Sequence, residues 1–537
     1  MICISMLLRV GIASIPLERD EGEYAYIAQR WLAGDVPYQD SFNQKPPGPF
    51  LAYAALFALG ARSIESVHWL AHVSVVGTMV FLYFIGYRLF SRVVGWTAAL
   101  FLVVLVMDRT VLGNAANTEV FAILPMTAGM FLAVRERPGR LDSLWVGVCG
   151  GLALLCKQVV VPVVVLMVAV LAFRRWIVGP TEQRAESPAN AKETSLGDPS
   201  YFHVLSLFLV GLGLVLIPVC IFFAAKGAWT EFCDGVLLHN LSYSVRVPLR
   251  LYPWIFWQMA KILSQVFAPI IVLAAFGLYA AWKRLEPGML LCLGWFVMSL
   301  AAVSVGGYFR AHYFILMMPA LALMGAHGAC RLGVALEPKR VEWQPAIGVA
   351  LGIVAALWPL YASHHYYWAE SPEEACRDLY GINPFVESRA VAKLLEENSS
   401  PDDRIFICGS EPQMLFYANR ASASRYIFVY PLFVGAADSE ARQQQVVDEV
   451  LHSPPKFIVI VNDVVVPTSF SKTLNASQLI FRELGEFVQH EYEPFAASTL
   501  ASDWSTRIID LVPREEGPMI GPNEDEAVVL WVWKRKS

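Results

Sequence analysis

At 537 residues, with 56% hydrophobic and only 16% charged side chains, the chain falls well below the ~25% charged fraction of soluble domains. That depletion, with a mean hydropathy of +0.48, excludes an ordinary soluble globule and implies repeated membrane crossing. The net charge of −5 gives no nucleic-acid signal, and no zinc-ligand spacing, P-loop or GxSxG motif is present.

Residues 1–17 read as a short first transmembrane helix with Arg9 near its middle. A signal peptide would fit that length, but no small-residue cleavage site precedes Leu17 and Glu18. The helix reading is preferred, and its true start can lie upstream of Met1. Segments 66–90, 93–107, 119–134, 203–225, 262–282, 288–305, 313–331 and 346–361 are span candidates, a crossing needing about 20 apolar residues. Segment 144–173 is apolar except at Lys157 and Gln158. At ~1.5 Å per residue it is long for one upright span and short for two. Charge decides: Arg135, Arg137 and Arg140 precede it, and Arg174 and Arg175 follow it. Both clusters stay on the positive side only if the segment turns back at Lys157-Gln158 as a hairpin.

The expected architecture is a polytopic α-helical membrane protein with about 11 transmembrane helices over residues 1–361, followed by a small extracytoplasmic α/β domain over 362–537. Arg88, Arg92, Lys283, Arg284, Lys339 and Arg340 then fall inside with the N-terminus. The first loop (18–64), loops 108–118 and 226–261, the turn 306–312 and everything after Tyr361 face outward. Segment 178–200, rich in Pro, Glu, Ser and Ala, reads as a disordered cytoplasmic loop. In the C-terminal part, 386–397 and 440–451 space as helices, and 404–408, 457–461 and 528–533 as strands. The nine cysteines lack CxxC spacing and mostly lie in apolar runs, where a thiol packs as a small hydrophobe. Cys376 and Cys408 could pair.

The first loop holds the densest chemistry. It opens Glu18-Arg19-Asp20-Glu21-Gly22-Glu23-Tyr24, and Tyr24, Ile27, Ala28 and Trp31 space as an amphipathic helix lying on the membrane surface. Taken alone, Asp20 and Glu21 are ordinary acids at a helix start. The sequel weakens that reading. Residues 34–40 make a turn through Pro37 and Tyr38, and Pro46-Pro47 forbids a helix through Lys45 and holds the backbone extended. A lysine is thereby fixed at the membrane surface near two carboxylates, before a short apolar helix over 50–59. Such a lysine suits a phosphate head group; interfacial snorkelling is the alternative.

The run DEGEYAYIAQRWLAGDVPYQDSFNQKPPGPFLAY resembles the first outer loop of the GT-C glycosyltransferase superfamily. It is most similar to the bacterial branch of dolichyl-phosphate-mannose protein mannosyltransferases, lipid A aminoarabinose transferases and Rgt-type galacturonosyltransferases. Asp-Glu opens the loop, G-x-x-P-Y turns it and K-P-P closes it, in that order. The resemblance covers the membrane region. It implies inverting transfer, on the outer face, of a sugar from a polyprenyl-phosphate donor. It also implies that Asp20 acts as base or acceptor positioner, that Glu119 is a second acid at the end of the fourth span, and that Lys45 binds the donor phosphate. Gln44 stands where some members carry a metal-holding Glu. A neutral amide is a poorer ligand, so a divalent cation as cofactor stays open and the metal site is unknown.

The chemistry agrees with the resemblance. A lipid-tailed donor must be met in the bilayer. A base at the acceptor hydroxyl is typically worth about 10²–10⁴-fold, and a leaving phosphate needs fixed positive charge. Arg310 could contact phosphate or sugar; Glu21, Tyr38, Lys157 and His312 are supporting candidates, with a structural role for His312 and a turn-marking role for Lys157 as alternatives. His239 and Tyr243 could line an acceptor cavity. The acceptor is a lipid, glycan or protein, the sugar is not written in a motif, and the expected location is the plasma membrane. The competing reading is a transporter or flippase of lipid-linked substrates. Against it, the charges gather at helix ends rather than mid-span, and no internal repeat is visible. A ligand-sensing C-terminal domain is the third.

Overall fold

A computed structural model describes residues 1–135, 139, 141–174, 201–282, 286–368, 371–433, 439–462, 479–511, 523 and 526–536. Arg137, Arg140, Arg175, Lys283, Arg284 and the segment 178–200 expected to be a cytoplasmic loop lie outside the described residues.

The apolar part comprises α1 (Ile2–Ile12), α2 (Arg19–Leu32), α3 (Gly48–Ala58), α4 (Ile64–Leu89), α5 (Arg92–Val106), α6 (Thr118–Ala133), α7 (Asp142–Cys156), α8 (Val161–Ala172), α9 (Tyr201–Ala225), α10 (Tyr252–Trp282), α11 (Pro287–Ser304), α12 (Met318–Leu336) and α13 (Gln344–Ala362). Among the described residues, six helices are long and apolar enough to cross a membrane: α4, α9, α11, and α10, α12 and α13 with their N-terminal extensions. The expected larger count also included α1, α5, α6, α7 and α8. Their 11 to 16 residues rise only about 16–24 Å, against a hydrocarbon core of about 30 Å.

α12 is the axis of the bundle, with Met318 to Ala329 buried throughout. Its small residues allow that. At the crossing with α10, a Cβ on Gly328 would strike the Leu273 carbonyl and one on Gly277 would meet Gly328, so two backbones approach in van der Waals contact. α9 is the opposite case: Leu205, Leu209, Leu214, Ile217 and Ile221 are exposed along it, as a lipid-facing helix requires. Helices α7 and α8 are separate because Lys157 is extended (φ −155°, ψ 114°) and a 3-10 turn, Gln158–Val160, follows. Pro162 then sits in the first turn of α8, where its missing N–H costs nothing.

Beyond α13 the chain builds α14 (Pro372–Tyr380), α15 (Phe385–Glu397), α16 (Gln413–Ala418), α17 (Ser439–His452) and α18 (Leu479–Glu491) around a six-stranded sheet of order β2-β1-β3-β6-β4-β5. β1 is Arg404–Cys408, β2 Ala421–Ser422, β3 Phe457–Val461, β4 Tyr492–Ala501, β5 Thr506–Asp510 and β6 Glu526–Arg535. β2, β1 and β3 run parallel, and the remaining pairs are antiparallel. Alternation along β1 divides its side chains between two apolar clusters. Ile405 and Ile407 join the large cluster that continues into the helices, whereas Phe406 and Cys408 join a second one.

Two expectations change. Cys376 and Cys408 are buried free thiols, kept apart because one packs in each cluster. Helix α2 does not lie on the surface: residues Glu21 to Ala28 are all buried, because α3 covers one side and α16 the other.

Candidate functional site

The site is assembled at helix ends. Glu18 caps α2, and its partner Glu21 closes a capping box by accepting the Glu18 N–H at 3.2 Å. Glu21 also accepts the Ala116 N–H at 2.7 Å and lies 3.0 Å from His68 Nε2. It is therefore a buried fastener that draws the 113–117 loop onto α2, and Asp20, in the same turn, has other partners.

Asp20 Oδ2 lies 3.5 Å from Lys45 Nζ. The lysine is held through its backbone. Its N–H donates to Asn43 Oδ1 at 2.9 Å, and its carbonyl accepts the Tyr38 hydroxyl at 2.7 Å. Asn43 in turn donates to Glu23 Oε2 at 2.7 Å, and Asn240 donates to the Gln44 carbonyl at 2.7 Å. Tyr38 has φ 70°, a left-handed backbone that a bulky residue rarely adopts; burial of its ring and its bond to Lys45 hold it there. After Lys45 the chain turns at once: Pro47 is already αR (φ −77°, ψ −2°) and caps α3, where extended backbone was expected.

A second pair adjoins the first. Glu119, in the first turn of α6, accepts the Thr118 hydroxyl at 2.8 Å and is in direct contact with Lys157 Nζ at the α7–α8 break. The Lys157 ammonium lies 3.9 Å from the centroid of the Tyr313 ring, a cation–π contact. His312 Nε2 is 4.0 Å from Glu119 Oε1. Asp20, Lys45, Glu119, Lys157 and His312 are thus brought together from four segments. Arg310 is exposed, two residues before His312 and within electrostatic reach of Tyr313, and the Tyr38 hydroxyl holds the Lys45 carbonyl.

Electrostatics sets the protonation of the outer groups. Burial alone would raise the Asp20 carboxyl, but the Lys45 ammonium, aided by His312 and Lys157, more than reverses this and leaves it below the usual carboxylate range. Burial would lower Lys45, but Asp20 together with Tyr313, Glu119 and Glu23 more than offsets that, so the lysine is held above its ordinary value. Glu18 and Glu23 go the other way: burial, then the Asp20 charge, pushes both well up. The result is a carboxylate and an ammonium that favour each other's charged forms, flanked by two acids whose charged forms burial and the Asp20 charge disfavour. Among the described residues no group of three His, Cys, Asp or Glu side chains suits a metal ion.

His239 lies edge-on to Phe42 at 5.4 Å, so it packs the loop tip. Tyr243's side chain is outside the described atoms. His68, Tyr313, Arg425, Arg442 and Glu411 carry no local sequence signal, and only the fold brings them to the site or to the loops that frame it.

This combination, an apolar bundle with charged pairs at one end, defines a polytopic membrane protein with a cluster of charged side chains where its helices end. Residues 44–182 match the family described as dolichyl-phosphate-mannose-protein mannosyltransferase, a span that contains Lys45, Glu119 and Lys157. Residues 385–479 match the competence-induced protein Ccs4 C-terminal domain family. No curated protein sequence matches the chain. The structure is similar to ArnT from Cupriavidus metallidurans bound to undecaprenyl phosphate, with 14% identity and a TM-score of 0.60 over 96% of this chain and 98% of that one. The apo state of that ArnT matches at 14% identity and TM-score 0.54 over 88% and 94%. Arabinofuranosyltransferase AftD from Mycobacteria matches at 13% and 0.50, over 99% of this chain and 41% of that one. The fold of this chain is shared with ArnT and AftD.

Proposed function

We propose that this chain is an integral-membrane glycosyltransferase that takes a sugar from a polyprenyl-phosphate donor. The observation that carries the reading is the convergence of the Asp20–Lys45 and Glu119–Lys157 pairs at one end of an apolar bundle whose fold is shared with a protein crystallised with undecaprenyl phosphate. In this reading the lipid tail lies among the helices and the phosphate meets Lys45, with Arg310 at the rim. Asp20 takes the proton of the acceptor hydroxyl as its oxygen attacks the anomeric carbon, and the bond from that carbon to the phosphate oxygen breaks with inversion. The phosphate leaves on its lipid, and the ammonium nearby balances the charge it gains. Glu119 keeps Lys157 in place and orders the acid side of the site. The acceptor, a lipid, glycan or protein, approaches from the extracytoplasmic face of the plasma membrane, the side on which the reading also puts the sheet.

The test uses purified full-length protein in nanodiscs with a panel of mannosyl, aminoarabinosyl and galacturonosyl undecaprenyl phosphates, with and without EDTA. Release of undecaprenyl phosphate, abolished by Asp20→Asn, supports the reading. Lipid-linked sugar left intact across the panel, together with its movement across sealed vesicles, would favour a transporter. The EDTA arm decides the divalent-cation question.

A further inference from the structure

The Asp20–Lys45 pair is held from outside its own loop, and both holds come from the C-terminal sheet. On the Asp20 side, the loop leaving β1 closes on the start of α2. Arg19 donates Nε to the Ser410 carbonyl, and Nη2 to Glu411 Oε1 at 2.8 Å and to Asn383 Oδ1 at 3.4 Å. The Glu411 side chain is fully buried, and its other oxygen accepts the Ser410 N–H at 2.7 Å. Gly22 lies so close that a Cβ there would sit 2.6 Å from the Gln413 nitrogen.

On the Lys45 side, Phe42 is buried in the second apolar cluster with Phe406, Tyr426 and Ile458. Its N–H donates to the Arg425 carbonyl at 2.7 Å, and Arg425 donates back to the Tyr38 carbonyl. Arg442 lies 4.9 Å from the Phe42 ring centroid while gripping Asp234 at 3.0 and 3.1 Å.

The carboxyl ends of parallel strands are where open α/β sheets bind ligands; at β1 that place is taken by α2. Asp20 is faced by Arg19, Glu18 and Glu23 from its own helix region, by Lys45 from the first loop, by Glu119 from α6, by Lys157 from the α7–α8 turn, and by His312. Arg19 is within electrostatic reach of both Glu18 and Asp20, and its partner carboxylate is supplied by the sheet.

We infer that Glu411 is a positioning residue, one that draws the Arg19 guanidinium away from Asp20 so that Asp20 answers chiefly to Lys45, with His312 and Lys157, and that the sheet is thereby a working part of the reaction centre. This rests on the transferase reading above. Glu411→Gln frees the guanidinium to settle on Asp20, which weakens the base and holds it ionised to lower pH.

The experiment measures full-length protein in nanodiscs with whichever panel donor is turned over. Glu411→Gln is expected to lower kcat about 10- to 100-fold, with the donor KM held within about twofold, and to move the acid limb of the rate profile to lower pH. Arg19→Gln combined with Glu411→Gln removes the freed charge and is expected to restore both kcat and the limb. A single variant with wild-type kcat and limb, or a double variant as slow as the single, overturns the inference. Asp20→Asn is run alongside: if it stays active, the transferase reading itself fails, whereas an inactive Asp20→Asn with an unaffected Glu411→Gln removes only the role of Glu411.

Discussion

The two carboxylate–lysine pairs are made of the same groups and differ in access. Glu119 and Lys157 are sealed, with side chains 1% and 8% exposed and in direct contact. Asp20 and Lys45 are 24% and 12% exposed and stand 3.5 Å apart. A sealed pair is fixed because separating it strands a charge out of water. A half-open pair at a longer distance can exchange its partner for a substrate. Glu119–Lys157 is thus suited to hold the centre, and Asp20–Lys45 to react.

Asp20→Asn tests the comparison hardest. It keeps the shape and removes the proposed base, so turnover should fall by about 10²–10⁴-fold, with a smaller fall in the thermal midpoint in detergent than Glu119→Gln causes, because the Asp20–Lys45 pair is less buried. Retained turnover would break the comparison on its reactive side. Glu119→Gln probes the sealed side. It leaves the Lys157 ammonium buried and unpaired, and should destabilise the fold by about 3–5 kcal/mol, read as a lower thermal midpoint. Adding Lys157→Met should recover most of that loss, and a Glu119→Gln variant as stable as wild type would mean that the sealed pair holds nothing.

Lys45→Ala should raise the donor KM by about 10- to 100-fold, the cost of a lost charge-assisted contact; binding of undecaprenyl phosphate itself is the direct check. It should also move the acid limb of activity. The folded Asp20 carboxyl lies below its ordinary value, so it stays ionised down through the usual carboxylate range, while the stability that the pair contributes is whole above that range and is lost progressively as pH falls from it through the lowered value. Without Lys45, burial dominates and the limb should rise. An unmoved limb would separate Lys45 from Asp20. The smallest effect belongs to Tyr38→Phe, which deletes the hydroxyl that holds the Lys45 carbonyl; about 1 kcal/mol should appear as a modest rise in donor KM at constant kcat.

What could be read from sequence follows the reach of local rules. Asp20, Tyr38 and Lys45 share one short segment punctuated by Gly34, Pro37, Pro46 and Pro47, so their proximity was legible. The α7–α8 break showed in the isolated Lys157-Gln158 and in flanking charge. β1 and β3 read clearly because strands buried on both faces are continuous apolar runs. β4 and β5 did not. β4 carries Pro494 at a bulge and a run of small residues, and β5 is half exposed with polar neighbours. The burial of α2 was invisible for a different reason: an amphipathic pattern says that a face is covered, and the membrane was the nearest candidate. The cover is Gln413 and its neighbours, whose contact with Gly22 no local pattern encodes.

The clamp between Arg19 and Glu411 joins residues 392 positions apart. A ribosome adding about 5–20 residues per second needs roughly 20–80 s to cover that distance. Through that interval the segment bearing Asp20 has already been synthesised, while the carboxylate that takes its neighbouring guanidinium, and the helix that covers α2, have not. The candidate site therefore reaches its final charge arrangement late in translation, and a chain released early carries Asp20 and Lys45 without the Arg19–Glu411 contact beside them.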